Sequence, residues 1–304
     1  LDQTRAFFAK RNVLEVELPL LGQTTVTDLH IDSFSVPLEP WANQDKPTQL
    51  FLQTSPEFAM KRLLAAGSGP VYSLAKAFRR GEQGTRHNPE FTLLEWYRPG
   101  FDEHQLMAEV AELLMTLLTI NKPEKISYAE LFEQHCGMNP HSASTEQLQK
   151  LALSRLDLEP SNYDKSTWLD LIFCQLIEPA LKQIPALFVY DYPACQAALA
   201  KLHKDQQGQQ VAARFELFVQ GMELANGYFE LTDASEQKQR FQADLAQRQA
   251  RKLDCPPLDQ RLIDALASGM PATAGVALGF DRLVMLATGA ECIQQVLAFS
   301  LDRA

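Results

Sequence analysis

FRRGEQGTRHNPEFTLLEWYR, residues 78–98, opens with two arginines, runs through a polar loop with two glycines, and ends in strand-forming residues. Side chains alternate along a strand. In EFTLLEWYR, Phe91, Leu93, Glu95 and Tyr97 therefore share one face, and Glu90, Thr92, Leu94 and Trp96 the other. The upstream run VYSLAKAFR also reads as a strand, so the stretch predicts an antiparallel hairpin with Arg79 near Phe91 across it. Arginine holds phosphate oxygens bidentately, and an aromatic ring stacks on a base. A solvated hairpin tip above a buried phenylalanine accounts for the same spacing, and spacing alone leaves both readings open.

Working outward, LDQTRAFFAKRN reads as a short helix with Leu1, Phe7 and Phe8 inward, and VLEVELPLL alternates as a strand up to Pro19. HIDSFSVPL and QLFLQTS are strand candidates on either side of the turn-rich WANQDKPT. Ser55 is placed to cap a helix with Pro56 at its first position, Glu57 in its first turn, and an apolar face through Phe58, Leu63 and Leu64. HQLMAEVAELLMTLLTI, YAELFEQHCG, TEQLQKLALSRL and WLDLIFCQLIEPAL read as helices. ALFVYDYPA and ARFELFVQGMELANGYFEL read as strands, DASEQKQRFQADLAQRQARK as a long polar helix, and AGVALGF as a strand entering the helix DRLVMLAT. Strands in hairpin order with helices between the blocks predict an α+β fold, a mixed, mainly antiparallel β-sheet flanked by helices. The expected organisation is one domain over residues 1–304, with a helical insertion at about 102–185.

The totals narrow the function classes. The chain has 304 residues, 46% hydrophobic and 22% charged, an ordinary globular mixture able to bury a sizeable core. Thirty-eight acids against twenty-eight bases give a net charge of -10, which gives no support to a large nucleic-acid footprint. No apolar run reaches membrane-spanning length. The five cysteines are scattered with no CxxC pair, so a reduced cytoplasmic protein is expected. The six histidines show no HExxH or similar spacing, so a structural zinc site is not expected. The chain opens at Leu1, and no signal peptide is recognisable. GxxxxGK[ST], GxGxxG after a strand, and Gly-x-Ser-x-Gly are all absent, which argues against a P-loop, a Rossmann site and a nucleophile elbow.

Two further constellations carry chemistry. In RFELFVQGMELANGYFEL, Glu216, Glu223 and Glu230 recur within a segment that otherwise reads as core strand, and Asn226-Gly227 reads as a turn or bulge. Clustered carboxylates near phosphates suit Mg²⁺, whereas an exposed acidic strand face needs no ligand. In AGVALGFDRLVMLATG, Gly279 lets a flat ring approach the backbone, and Asp281 is placed to cap the helix. Arg282 opposes the helix dipole in the first turn, which suits an outside anion or simply an exposed arginine.

Together the three stretches resemble the catalytic core of class II aminoacyl-tRNA synthetases, the lysyl subgroup in particular, over nearly the whole chain. RNVLEVELPLL resembles the first motif of that class, a dimer-interface helix and strand. FRRGEQGTRHNPEFTLLEWY resembles the second and GVALGFDRL the third, while RFELFVQGMELANGYFELTDASEQKQRF is similar to the lysyl segment. The resemblance implies that Arg79 and Arg282 are catalytic, with Arg79 on the α-phosphate of ATP. It implies that Phe91 stacks on adenine, with Arg282 on the other face, Gly279 beneath and His87 near the phosphates. ATP binding extends by resemblance to Arg80, Gly81, Glu82, Asn88, Glu223 and Leu224, and Mg²⁺ binding to Glu216 and Glu223. Glu57, Glu95, Tyr97, Asn226 and Glu230, with Ser55 and Pro56, would form the pocket for an amino acid with two ammonium groups. Several acids facing one cavity repel one another unless cations enter, which selects a diamine.

The first-motif helix begins at Leu1 and the chain ends just after the third motif, so no anticodon-binding domain is expected within it. Ser55 stands where the tRNA enzymes usually show alanine, and EWYRP replaces their ELYMAY-like ending. The chain thus resembles the truncated lysyl-synthetase paralogues that modify elongation factor P. That resemblance implies a homodimer that activates (R)-β-lysine or lysine and transfers it to a lysine side chain of that protein, with no tRNA and no membrane. A lysyl-tRNA synthetase-like enzyme and an amino-acid-sensing regulatory paralogue are the alternatives. The class pattern Phe-Arg-x-Glu becomes Phe78-Arg79-Arg80-Gly81-Glu82, so either Glu82 or the backbone near Gly81 would read adenine.

Overall fold

In the computed structural model, residues 1–38 and 48–304 are described. Most of the turn-rich WANQDKPT stretch lies outside the described residues; only its last residue, Thr48, falls within them, opening a strand. The chain forms two units, one of Leu1–Gly100 with Thr232–Ala304, the other of Phe101–Leu231.

The first unit begins with α1 (Asp2–Ala9), β1 (Leu14–Glu15), β2 (Leu21–Gly22), β3 (Ser35–Leu38), β4 (Thr48–Leu52), α2 (Glu57–Ala65), β5 (Val71–Phe78) and β6 (Glu90–Pro99). Phe7 and Phe8 are buried as their spacing predicts, but Leu1 is exposed because the helix begins only at Asp2. The VLEVELPLL run is not one strand: Leu14–Glu15 form β1, which joins β5 in parallel, and Leu21 opens β2, which pairs antiparallel with β4. Helix α2 begins at Glu57, one residue later than its sequence suggests. Its buried face is Met60, Lys61 and Leu64, while Phe58 and Leu63 are only partly covered. The Ser55 hydroxyl accepts from Glu57 N at 3.4 Å, a long contact for a cap.

The second unit carries α3 (Glu103–Leu117), β7 (Glu124–Ser127), α4 (Tyr128–Cys136), α5 (Thr145–Arg155), α6 (Lys165–Ile172), α7 (Glu178–Leu181), β8 (Ala186–Pro193), β9 (Leu202–Lys204), β10 (Gln210–Val219) and β11 (Met222–Phe229). Capping boxes at Asp102, Ser127 and Ser144 start α3, α4 and α5. The run WLDLIFCQLIEPAL stays helical but widens to a π turn over Phe173–Ile177, immediately before α7 and its Pro179, which has no N–H to donate. Strand β7, set among the helices, pairs in parallel with β8. Its four residues are too few to show a period, which is why sequence spacing misses it. Strand β8 pairs antiparallel with β10, and β10 with β11 and β9. The core of this unit packs Tyr128, Phe132, Trp168, Phe173 and Val189.

The first unit closes with α8 (Ala234–Ala250), α9 (Gln260–Gly269), β12 (Thr273–Gly279) and α10 (Phe280–Thr288). Its main sheet runs β1, β5, β6, β12, antiparallel at β5–β6 and β6–β12. A smaller antiparallel sheet joins β2, β4 and β3. Trp96 on β6 is fully buried against Phe8, ring centroids 5.3 Å apart, and Phe8 stacks on Tyr72. This packing fixes which face of β6 turns toward Phe8, and with it the opposite direction of Glu95 and Tyr97. No helix among the described residues is long and apolar enough to cross a membrane.

Candidate active site

In the first unit the β5–β6 hairpin closes with Ala77 opposite Phe91, Phe78 opposite Glu90, and Arg79 N donating to Pro89 O at 2.9 Å. Arg79 leaves the strand end with its guanidinium 5.2 Å from the centroid of Phe91, as the hairpin reading predicts. The same side chain donates through Nε to Thr54 O at 3.3 Å and lies 3.6 Å from the Glu82 carboxylate. Glu82 is thus set beside Arg79. Gly81 turns the loop at φ 84, a conformation that favours glycine.

Arg80 points elsewhere. Its backbone N–H donates to Asp32 O at 2.7 Å and its guanidinium to Asp254 at 3.0 Å. Arg248, 3% exposed, backs this contact by donating to Asp28 O, Asp254 O and the Asp32 carboxylate. A backbone bridge joins Gly84 and His87, and Asn88 Nδ2 donates to Glu90 O at 2.7 Å. Together these contacts hold the loop over residues 79–89 at several points.

Arg282 lies in the first turn of α10 and donates to His87 Nε2 at 2.7 Å and to Arg86 O at 3.3 Å. Burial, and then the positive charge of Arg282, push the His87 imidazole down from its ordinary value. His87 is therefore neutral near pH 7, its Nε2 accepting and its Nδ1 carrying the proton. A Cβ on Gly279 would meet Arg282 Cδ at 3.4 Å, so the missing side chain leaves the arginine's aliphatic stem uncovered there. Asp281 does not cap α10. The helix starts at Phe280, so Asp281 falls inside the first turn and instead accepts from Thr92 N at 2.6 Å, fastening the helix to β6.

Further along the face of β6 that carries Phe91, Tyr97 OH donates to Glu95 Oε1 at 2.8 Å, both residues 2% exposed. Glu57, at the start of α2, holds the ammonium of Lys61 at 2.6 Å, and Lys61 is 1% exposed. The expected diamine-binding carboxylate therefore already carries a resident ammonium. Sequence reasoning passed over Lys61, although its i,i+4 spacing from Glu57 on a helix was the available signal.

In the second unit Glu216 pairs with Asn226 across β10 and β11, and Asn226 Nδ2 donates to the Glu216 carboxylate at 3.3 Å. Asn226-Gly227 is not a turn. The hairpin turns at Gln220 and Gly221, both at positive φ, and the register shift falls at Leu217/Phe218. A Cβ at Gly221 would also stand 2.7 Å from Lys182 Cγ, so that turn favours glycine twice over. Arg214 pairs with Glu216 and stacks 4.5 Å from the Tyr192 ring centroid. It was missed from sequence, yet its i−2 position on the strand puts it on the face of Glu216. Leu224 and Glu230 are buried at 2% and 1%, and a backbone bridge links Glu230 to Ala200.

Burial, and then the neighbouring Glu223 carboxylate, raise Glu216 from 4.5 to about 7 against the pull of Arg214. Between these values the native state holds a proton that the unfolded chain has released, so this group's contribution to stability falls as pH rises. Urea midpoints of the wild type are expected to decline from pH 4.5 to 7 more steeply than those of Glu216→Gln. Parallel profiles would refute the shift.

The first unit thus carries an arginine over an aromatic ring, a neutral histidine held by a second arginine, and the buried Glu95 carboxylate on a strand. A family model described as tRNA synthetases class II (D, K and N) matches residues 1–303. An elongation factor P–(R)-β-lysine ligase of Pseudoalteromonas translucida is 50% identical over 306 residues, covering 100% of this chain and 94% of that protein. Ligases of the same name from Salmonella paratyphi A and Salmonella dublin are 48% identical, covering 100% and 99% of this chain and 93% of each relative. The chain belongs to this ligase family within the class II synthetases, and with membership comes the use of ATP.

Proposed function

We propose that this protein activates (R)-β-lysine, or lysine, with ATP and transfers it to a lysine side chain of elongation factor P, as a cytoplasmic homodimer of one catalytic domain with a helical insertion. The observation that carries the reading is strand β6. One face of it bears Phe91, with Arg79 above, and then the buried Glu95–Tyr97 pair. One strand thus presents groups suited to a nucleotide and groups suited to a cationic amino acid.

In the first step a substrate carboxylate oxygen attacks the α-phosphorus of ATP, the bond to the bridging oxygen breaks, and pyrophosphate leaves. Arg79 holds the α-phosphate and stabilises the charge that gathers there. Phe91 supports adenine, Arg282 covers its other face with Gly279 leaving room, and neutral His87 offers its Nδ1–H to phosphate oxygens. Glu82 or the backbone at Gly81 reads the adenine amino group. Arg80 and Asn88 keep the loop in place. In the first unit Glu95 with Tyr97 receives an ammonium group, and Ser55 and Pro56 border the amino-acid position. In the second step the acceptor amine attacks the adenylate carbonyl, forming an amide, losing a proton and releasing AMP.

Burial, and then the neighbouring Glu223, raise the proton affinity of the Glu216 carboxylate, and such a pair of carboxylates is relieved by a divalent cation. They would hold Mg²⁺, which supplies neutralisation of phosphate charge. ATP–pyrophosphate exchange with (R)-β-lysine and α-lysine, followed by offering tRNA or elongation factor P, tests the proposal. Exchange with β-lysine and labelling of the protein alone is expected. Labelling of tRNA alone would overturn the acceptor, and no exchange with either amino acid would overturn the activity.

A further inference from the structure

The second unit brings together three ligand-bearing side chains that the reaction above does not use. Glu103 opens α3, Asp191 lies on β8 and His203 on β9, and one ligand atom from each lies within 4.8 Å of the others. His203 Nε2 is 3.1 Å from Asp191 Oδ1. The Glu103 side chain is 7% exposed, and its carboxylate accepts no hydrogen bond from the described residues; His104 Nε2 lies 3.9 Å away, beyond hydrogen-bond reach. Packing of the rest of the side chain thus leaves this carboxylate with no protein donor among the described residues to offset its charge. Its two neighbours in the cluster are a second carboxylate and an imidazole.

From this geometry we infer that Glu103, Asp191 and His203 form a binding site for a divalent transition-metal ion of the zinc type, remote in sequence from the residues assigned to ATP. Metal–ligand bonds of about 2.1 Å in a tetrahedron put ligand atoms about 3.4 Å apart. The Asp191–His203 distance already matches that spacing, and rotation of the Glu103 side chain closes the rest. An imidazole donor selects zinc, cobalt or nickel over Mg²⁺ and Ca²⁺, which prefer all-oxygen sets. His104, its ring edge-on to Tyr190 at 5.4 Å, lies outside this three-residue group, so solvent would complete the coordination. Bound metal ties the start of α3 to β8 and β9.

The test uses the full chain, stripped with a chelator and titrated with Co²⁺ or Zn²⁺ alone. Visible cobalt bands of four- or five-coordinate intensity are expected, without a near-ultraviolet thiolate band, and excess Mg²⁺ leaves them in place. Zn²⁺ is expected to raise the melting temperature of the wild type. His203→Ala and Glu103→Gln are each expected to weaken cobalt binding at least about tenfold and to remove the zinc-dependent shift. Should either variant fail to fold, the His203 ring resonances of the wild type are expected to move on zinc addition. The inference is overturned by no uptake below about 100 μM, by a thiolate band, by uptake unchanged in both variants, or by static His203 resonances.

Discussion

Replacing Arg79 by alanine is expected to lower ATP–pyrophosphate exchange by about 10²–10³-fold, the cost of removing a donor that stabilises transition-state charge. The loss should fall on kcat more than on KM, because the contact strengthens as charge gathers on the α-phosphate. Fold damage does not account for it. The hairpin is closed by the Arg79 backbone N–H, which alanine keeps, and the side chain is 26% exposed. Urea midpoints are therefore expected to stay close to wild type. Arg79→Lys keeps the charge but not the planar fork, and should recover only part of the rate. Turnover within threefold of wild type for Arg79→Ala would remove Arg79 from the phosphate role.

Lys61→Met is expected to lower the unfolding free energy by about 3 kcal/mol or more, the scale set by breaking a buried ion pair from one side. Methionine nearly preserves the packed volume beside Met60 and Leu64, so the effect isolates the charge. Glu57, 14% exposed, then loses the ammonium held at 2.6 Å. The double variant Glu57→Gln, Lys61→Met removes the stranded charge and should be more stable than Lys61→Met alone. Denaturant unfolding of the three variants measures both effects. A change below about 0.5 kcal/mol for Lys61→Met would show that the pair carries no net stabilisation.

Much of what the first unit brings together was legible because its information is local. Strand alternation placed Phe91, Glu95 and Tyr97 on one face, and the hairpin put Arg79 beside Phe91. Errors arose where two local rules competed. Asn226-Gly227 has turn chemistry but sits inside β11, because Gln220 and Gly221 supply the positive φ angles at the true turn. Asp281 suits a cap, yet α10 begins before it and β6 claims its carboxylate. Lys61 and Arg214 stand at pairing distance in sequence from Glu57 and Glu216, but spacing alone does not show that both members of each pair turn inward.

Read alone, the residue order determined the α+β architecture, the hairpin, the arginine–aromatic pair and the family, since periodicity, turn residues and motif spacing are written in consecutive positions. Tertiary structure decided what those residues face. It bound Arg80 to Asp32 and Asp254, gave Glu57 a resident ammonium, held His87 neutral against Arg282, and set Glu103 beside Asp191 and His203. Most of these depend on chain segments far apart in sequence, and on a burial that changes the free energy of each charge, which no local pattern encodes.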